Sequence, residues 1–436
     1  MTSDNKDYFL KTPSDVTVVG LGYVGLPLAL AFAAKLHTTG FDNDASRIEE
    51  LRCGKDRNLE VDYDSIKSSK LKLTYDDSCV AEASFIVVSV PTPITAEYQP
   101  ELKFLESASA MIGRGLRYRS PERQVPIIVF ESTTYPGCTE DFCGPIIERE
   151  SRLKSGEGFL LGYSPERTNF GDTEHTLETV IKVVAGQTET AARVVKDVYS
   201  KIAKSGVHMV PNIKTAEASK VIENVQRDLN IALFNETAMI FDRMGINSSD
   251  VFGAAGTKWN FHKYQPGLVG GHCIPVDPYY LTYAAQKIGY EANVILAGRG
   301  VNERMVEDVV NKIMELIASV DRDEDSSSVL VLGQTFKSDV ADFRNSKARH
   351  LAETLSSRFA SVRVYDPYGA KSDINRNPIC GASKYDVVVL AVGHSEFLSS
   401  IDDIADLVEP DGVFVDLTGN TSSTQFDDLG FRYWGL

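Results

Sequence analysis

Cysteine is scarce in this chain of 436 residues. Six are present, at positions 53, 79, 138, 143, 273 and 380, and they form no paired zinc-ligand spacing and no Cys-x-x-Cys redox pair. No metal site and no disulfide framework is expected, and the simplest compartment is a reducing, cytoplasmic one. Long apolar runs are missing as well. None reaches the length of a membrane span, and the opening stretch MTSDNKDYFLKTPSD has no apolar core of signal-peptide length. Basic charge is in deficit: a net charge of −16 argues against a nucleic-acid surface, although a local basic pocket for an anionic ligand stays open. No internal repeat stands out between the two halves.

What is present is an ordinary globular composition, 43% hydrophobic and 24% charged, in a chain too long for one core, so two or three domains are expected. Val16 to Val19 read as a short apolar strand, and GLGYVGLPLALAFAAKL follows. Gly20, Gly22 and Gly25, with Tyr23 and Val24 between the last two, give Gly-x-Gly-x-x-Gly between a strand and a helix. Gly20 permits the tight turn, Gly22 lets the backbone approach a pyrophosphate, and Gly25 lets helix and strand pack closely. The helix then offers free N–H groups and a positive dipole end to the phosphates. A second strand, TTGFD, ends at Asp42, seventeen positions beyond Gly25. An acid there accepts both ribose hydroxyls and repels a 2′-phosphate, so NAD is preferred over NADP; Arg47 is near enough to complicate that preference. A purely structural turn is the alternative.

Strands and helices go on alternating. FIVVSV at 85–90 leads to Thr92, and PIIVFEST ends with Ser132 and Thr133. Residues just beyond the carboxyl ends of parallel strands border the ligand crevice, although Ser and Thr also cap turns and helices with no further role. FLLGYSPERTNFGD sets Glu166 on a loop after an apolar strand. TAEASKVIENVQRDLNIALFNETAMIFDRMG is the longest helical stretch, apolar at spacings of three and four, with Lys220 and Asn224 one turn apart on one face. That helix has more apolar positions than one face needs, so it is expected to form a homodimer seam. A second helical stretch covers about 291–319, and the acidic DRDEDSSS at 321–328 reads as a linker. The chain then restarts as VLVLGQTF, VRVYDPYG, DVVVLAVG and VFVDLTG, with FKSDVADFRNSK at the end of the first of these strands. In GLVGGHCIPVDPYYL, residues 267–281, Cys273 is either a gap-filling thiol or a nucleophile on a tight loop.

Together GLGYVGLPLA, VPTP, ESTTYPG, SPER, AEASKVIEN, GGHCIPVDP and TFK with DFRNSK resemble the nucleotide-sugar 6-dehydrogenases of the UDP-glucose/GDP-mannose dehydrogenase family, over nearly all of residues 15–420. GGHCIPVDPYYL, SPERTNFGD and GTKWNF are similar to the UDP-N-acetylhexosamine branch, acting on UDP-GlcNAc or UDP-GalNAc. The resemblance implies an α/β fold, two Rossmann-like doubly wound domains joined by a long central helical segment. The expected division is an NAD-binding domain over 1–212, a helical dimerisation segment with the Cys loop over 213–320, and a UDP-sugar-binding domain over 321–436. It also implies an NAD-dependent four-electron oxidation of the sugar's carbon-6 alcohol to a carboxylate, with Cys273 trapping the aldehyde as a thiohemiacetal and carrying the acyl group as a thioester.

On matched positions, Lys220 resembles the lysine that stabilises the oxyanion, Asn224 and Asp277 the residues that hold a catalytic water, Thr133 a member of the water network, and Glu166 the acid proposed to activate water. Arg167, Gly270 and Lys337 are similar to substrate-contacting residues, Lys337 near the phosphates, and Arg344 to one at the nicotinamide end. His272 either lowers the thiol's proton affinity or points away. There are departures. Phe170 stands where the UDP-glucose enzymes carry a second glutamate, and Asn302-Glu303-Arg304-Met305 replaces the usual Asn-Asp-x-Met. The alternatives are a UDP-glucose 6-dehydrogenase, a two-electron hydroxyacid dehydrogenase that needs no cysteine, and a catalytically silent NAD-sensing protein.

Overall fold

Runs such as Phe85–Val88 and Ile127–Phe130 have no polar face to offer solvent, so they are stable only as strands covered on both sides. The computed structural model describes residues 11–168, 174–369, 377–381, 383–426 and 429–436; Phe170 lies outside them. The chain divides into two compact units. One comprises the residues up to Glu223 with Tyr279–Tyr290, the other Asn224–Pro278 with Glu291–Leu436.

The first unit holds an eight-stranded sheet: β1 (Asp15–Val19), β2 (His37–Phe41), β3 (Lys72–Thr74), β4 (Phe85–Val88), β5 (Ile127–Phe130), β6 (Leu160–Tyr163), β7 (Lys182–Gly186) and β8 (Val207–Met209). Their order is β3-β2-β1-β4-β5-β6-β7-β8, parallel except between β6 and β7. The order reverses between β1 and β4, so the loops that follow these two strands part and leave a crevice at their carboxyl ends. Val16, Val18, Phe85, Val87, Ile127 and Val129 share one core with Leu28, Ala29 and Phe32 of the helix Gly25–Ala33.

The second unit holds β9 (Ser328–Leu332), β10 (Ser361–Tyr365), β11 (Tyr385–Leu390), β12 (Val408–Asp416) and β13 (Arg432–Gly435), ordered β10-β9-β11-β12-β13 and all parallel. Alternation along the strands builds two cores. Val329, Val331, Val387 and Val389 meet Val309, Ile313 and Leu351 from the helices Asn293–Ala318 and Lys347–Ser356, whereas Leu330, Leu332, Val388 and Leu390 meet Phe397 and Ile404.

The expected long helix is Ile213–Arg243, and the stretch expected at 291–319 is Asn293–Ala318. In the first of these Val221, Val225 and Ala232 are buried within the chain, while Ile222, Leu233 and Ile240 are 52%, 55% and 45% exposed. Among the described residues no helix is long and apolar enough to cross a membrane.

Candidate active site

β1 delivers the chain to Gly20, whose φ of +90° suits glycine alone. A Cβ there would stand 2.9 Å from the Ser89 carbonyl oxygen, and one on Gly25 would stand 1.8 Å from that of Gly20. Both must be bare for the loop to close between helix and sheet. Gly22 differs: a Cβ on it would meet nothing within 4 Å. Open space beside a bare backbone, just ahead of a helix N-terminus, fits the pyrophosphate of NAD. Asp42 follows β2, its Oδ2 accepting the Leu21 N–H and its Oδ1 the Asp44 N–H, each at 2.9 Å. Each oxygen keeps a second lone pair for a ribose hydroxyl. Arg47 is buried, donating from Nε and Nη2 to the Leu21 carbonyl at 3.0 and 2.9 Å and pairing with Asp56 at 2.7 Å. The cation that complicated the preference for NAD therefore braces the glycine loop from within the fold.

The strand ends are tied to that loop. Ser89, which no motif in the sequence singles out, donates from Oγ to the Gly20 carbonyl at 2.9 Å. Ser132 is buried and donates from Oγ to the Val90 carbonyl at 2.7 Å, joining the loops after β4 and β5. Thr92, Thr133, Tyr23 and Val24 are half-buried on the same loops. Behind them lies an ionic cluster that the sequence did not announce. Lys182, fully buried on β7, reaches Glu131 at 2.8 Å, Glu166 at 3.1 Å and the Pro165 carbonyl at 3.1 Å. Tyr199 donates its hydroxyl to the other Glu131 oxygen at 2.5 Å. Glu166 also accepts the N–H groups of Arg167 and Thr168, at 2.7 and 2.6 Å. Burial acts to raise the proton affinity of Glu166, but the Lys182 charge and the Thr168 N–H outweigh it and hold the pKa at about 2. Arg167 pairs with Glu223 at 2.8 Å.

The Cys273 loop belongs to the second unit. Gly271, at φ +87°, would bring a Cβ to 2.8 Å from the Phe336 ring, and one on Gly270 would stand 2.9 Å from the Asn345 carbonyl oxygen. The Gly271 N–H donates to the Asn345 carbonyl at 3.3 Å, and Asn345 Nδ2 donates to the Gly271 carbonyl at 3.1 Å. The two glycines therefore do more than permit a turn: they let the Cys loop lie backbone to backbone against the FKSDVADFRNSK segment. Cys273 is half-buried, and its carbonyl accepts the N–H groups of Val276 and Asp277 at 3.1 and 2.9 Å, which starts the helix Asp277–Lys287. His272 packs edge-on to Phe336, with ring centroids 6.1 Å apart, and its Nδ1 lies 3.5 Å from Arg344 Nη2. Arg344 is exposed and paired with Asp342 at 2.5 Å, and Lys337 is half-buried in the loop after β9.

Asn224, on the long helix, donates from Nδ2 to Asp277 Oδ2 at 2.5 Å, and both residues are buried. Lys220 is half-buried one turn earlier. Further along the helix Asn235 exchanges two hydrogen bonds with the Gly267 backbone, at 2.7 and 3.0 Å, and donates to Asn302 at 2.9 Å. Asn302 donates to Asp228, which pairs with buried Arg299 at 2.5 Å, and Glu303 links Arg299 to Lys347. The altered Asn-Glu-Arg-Met stretch thus supports the start of the Cys loop.

The chain matches the model of the UDP-glucose/GDP-mannose dehydrogenase family in three parts: the NAD binding domain over residues 14–203, the central domain over 214–304 and the UDP binding domain over 330–422. It is similar to a UDP-N-acetyl-D-glucosamine 6-dehydrogenase of Pseudomonas aeruginosa, 46% identical over 391 residues that cover 88% of this chain and 91% of that protein. It is similar also to Protein CapL of Staphylococcus aureus, 42% identical over 428 residues, 97% of this chain and 99% of the other. Among solved structures, that of a UDP-D-ManNAc dehydrogenase from Pyrococcus horikoshii superposes with a TM-score of 0.86 at 28% identity, covering 97% of this chain and 98% of that one.

Proposed function

Because the chain belongs to the UDP-glucose/GDP-mannose dehydrogenase family, we propose that it oxidises the carbon-6 alcohol of a UDP-N-acetylhexosamine to the carboxylate, with UDP-N-acetylglucosamine the first substrate to try. The observation that carries the reading is Cys273 at the start of a helix whose first residue, Asp277, is held by Asn224. A two-electron dehydrogenase has no need of that thiol. The similarity to a UDP-N-acetyl-D-glucosamine 6-dehydrogenase at 46% identity supports the N-acetyl branch.

NAD, when bound, takes up a hydride in each of the two oxidations. The chain's residues do the rest. Asp42 selects the cofactor's ribose. The Cys273 thiolate adds to the aldehyde carbon, forming the C–S bond of a thiohemiacetal; loss of hydride from that carbon leaves a thioester. Water adds, the C–S bond breaks, and the thiolate departs as the carboxylate forms. The sum is one alcohol, two NAD and one water giving one carboxylate, two NADH and three protons. Lys220 offers its charge to the oxyanion in each addition. Asn224 orients Asp277 as the base for water. Glu166, with its low pKa, is a poor proton acceptor at neutral pH and serves as a fixed charge that shapes its loop.

The exposed Ile222, Leu233 and Ile240 lie eleven and seven positions apart, which brings them onto one helix face and supports a homodimer seam. A cytoplasmic location suits a chain in which Cys53, Cys79, Cys138, Cys143 and Cys273 are free thiols.

The test is the NADH formed per sugar consumed, with UDP-N-acetylglucosamine, UDP-N-acetylgalactosamine and UDP-glucose in parallel. Two NADH per N-acetyl sugar is expected, and Cys273→Ala should abolish carboxylate formation. Activity with UDP-glucose alone would overturn the branch, and one NADH per sugar would overturn the four-electron reaction.

A further inference from the structure

His394 follows β11 and is fully buried, yet no step of the proposed chemistry uses it. Its hydrogen bonds define its proton. Nδ1 lies 2.9 Å from the Asp339 backbone nitrogen, whose hydrogen points at it, so Nδ1 carries a lone pair. The ring proton therefore sits on Nε2, which faces Thr335 Oγ1 at 3.1 Å and Asp366 Oδ2 at 3.3 Å. Thr335 accepts there, because its own hydroxyl hydrogen goes to the Lys337 carbonyl at 2.9 Å. Asp366 also accepts the N–H groups of Gln334 and Thr335, at 2.5 and 3.0 Å. The Asp339 carboxylate, 3.7 Å from Nδ1, is held by the N–H and hydroxyl of Ser395, and the rings of Tyr368 and Phe397 pack on the imidazole at 5.2 and 5.4 Å.

The backbone repeats the cofactor loop of the first unit. Gly20 and Gly333, at φ +90° and +97°, each donate an N–H at 2.8 Å to the carbonyl of the residue ending the neighbouring strand, Phe41 and Tyr365. Asp42 and Asp366 each accept the next N–H, from Leu21 and Gln334. Where the first loop leaves open space at Gly22, the second has an imidazole bonded to it. Asp339, at the loop's far end, is in the left-handed conformation at φ +58°, a region aspartate enters more readily than most residues with a side chain.

We infer that His394, as the neutral Nε2–H tautomer, is a positioning residue that holds the loop of residues 334–339 so that Lys337 meets the diphosphate of the nucleotide sugar. This rests on the reading of Lys337 as a phosphate-binding residue. A lysine is a point charge on a flexible stem, so its grip depends on where its backbone is fixed. The consequence falls on nucleotide affinity and leaves chemistry and NAD binding alone.

The experiment is calorimetric titration of the full-length protein with UDP, together with steady-state kinetics, for wild type, His394→Gln, His394→Asn and Lys337→Met. Glutamine keeps a donor toward Asp366 but offers no acceptor to the Asp339 N–H; asparagine keeps that acceptor. His394→Gln should raise the Kd for UDP and the KM for the sugar nucleotide about tenfold, with kcat and the KM for NAD within about twofold, and His394→Asn should recover most of the loss. If Lys337→Met weakens UDP binding and His394→Gln does not, the inference fails while the reading of Lys337 stands. If Lys337→Met leaves UDP binding unchanged, that reading fails and the inference with it. Equal losses in kcat, NAD and UDP affinity for both His394 variants would mean a merely structural histidine and would also overturn the inference.

Discussion

Asn224 donates its side-chain amide hydrogen to Oδ2 of Asp277 across 2.5 Å, joining the middle of the long helix to the first residue of the helix behind Cys273. Both residues are buried, so water does not substitute for either partner. Asn224→Asp would set a second carboxylate at that distance, and two such groups cannot both ionise cheaply. The kcat–pH profile of this variant should therefore acquire an ionisation above the usual carboxylate range, while Asn224→Ala should lower kcat by about ten- to a hundredfold with little change in KM. Profiles for both variants that overlay the wild type would detach the pair from the reaction.

Gly271 combines a left-handed backbone with a Cβ position 2.8 Å from the Phe336 ring. Gly271→Ala carries two separable penalties, the φ cost and the clash, and together about 2–4 kcal/mol of unfolding stability should be lost. Phe336→Ala in the same chain removes the clash alone. The double variant should thus be more stable than the sum of the single changes implies, by denaturant unfolding; strict additivity would mean that the ring moves aside at no cost.

The order of strand, glycines, helix and acid over residues 16–42 was legible because each part answers a local requirement that sequence displays directly. The apolar strands were legible for the same reason. Lys182 was not. Its partners Glu131 and Glu166 lie 51 and 16 positions away, and a lone lysine in a strand looks like any solvated side chain until the sheet closes over it. The spacing that put Lys220 and Asn224 on one helix face could not show that Asn224 meets Asp277, 53 positions on. Likewise the pair Gly270-Gly271 announced a turn, whereas the reason for both glycines, the approach of Phe336 and Asn345, comes from a segment more than sixty residues later.

Periodicity told which positions of the long helix are apolar and left open what covers them. Val221, Val225 and Ala232 are buried within the chain, whereas Leu233 and Ile240 remain 55% and 45% exposed. Leu233→Glu with Ile240→Glu sets charges on that face, and burying them in a seam would be costly. Light scattering after size exclusion should give a dimer for the wild type and a monomer for the variant, whose far-UV circular dichroism should match the wild type's. A wild type that is an active monomer when dilute would dismiss the seam.

Lys182 lies between Glu131 and Glu166, and one buried cation does not satisfy two carboxylates equally. For Glu131 burial is the largest influence; it raises the pKa from the ordinary 4.5 to about 7 against the pull of Lys182. For Glu166 burial acts in the same sense but loses, and the pKa ends at about 2. The two signs oppose each other. Glu166, lower in the folded protein than in the unfolded chain, contributes stability that is present above pH 4.5 and lost as the pH falls toward 2. Glu131, higher when folded, contributes stability that is complete below pH 4.5 and lost as the pH rises through about 7. Between those two values the melting temperature should therefore decline with rising pH, and Glu131→Gln should remove that decline while leaving the acid limb in place. Lys182→Met strands both carboxylates, at a cost of about 3–5 kcal/mol near neutral pH that shrinks where Glu131 holds its proton. Thermal unfolding from about pH 3 to about pH 8 reads all of this directly through that linkage; a Glu131→Gln curve parallel to the wild type's would mean that Glu131 does not titrate in that window.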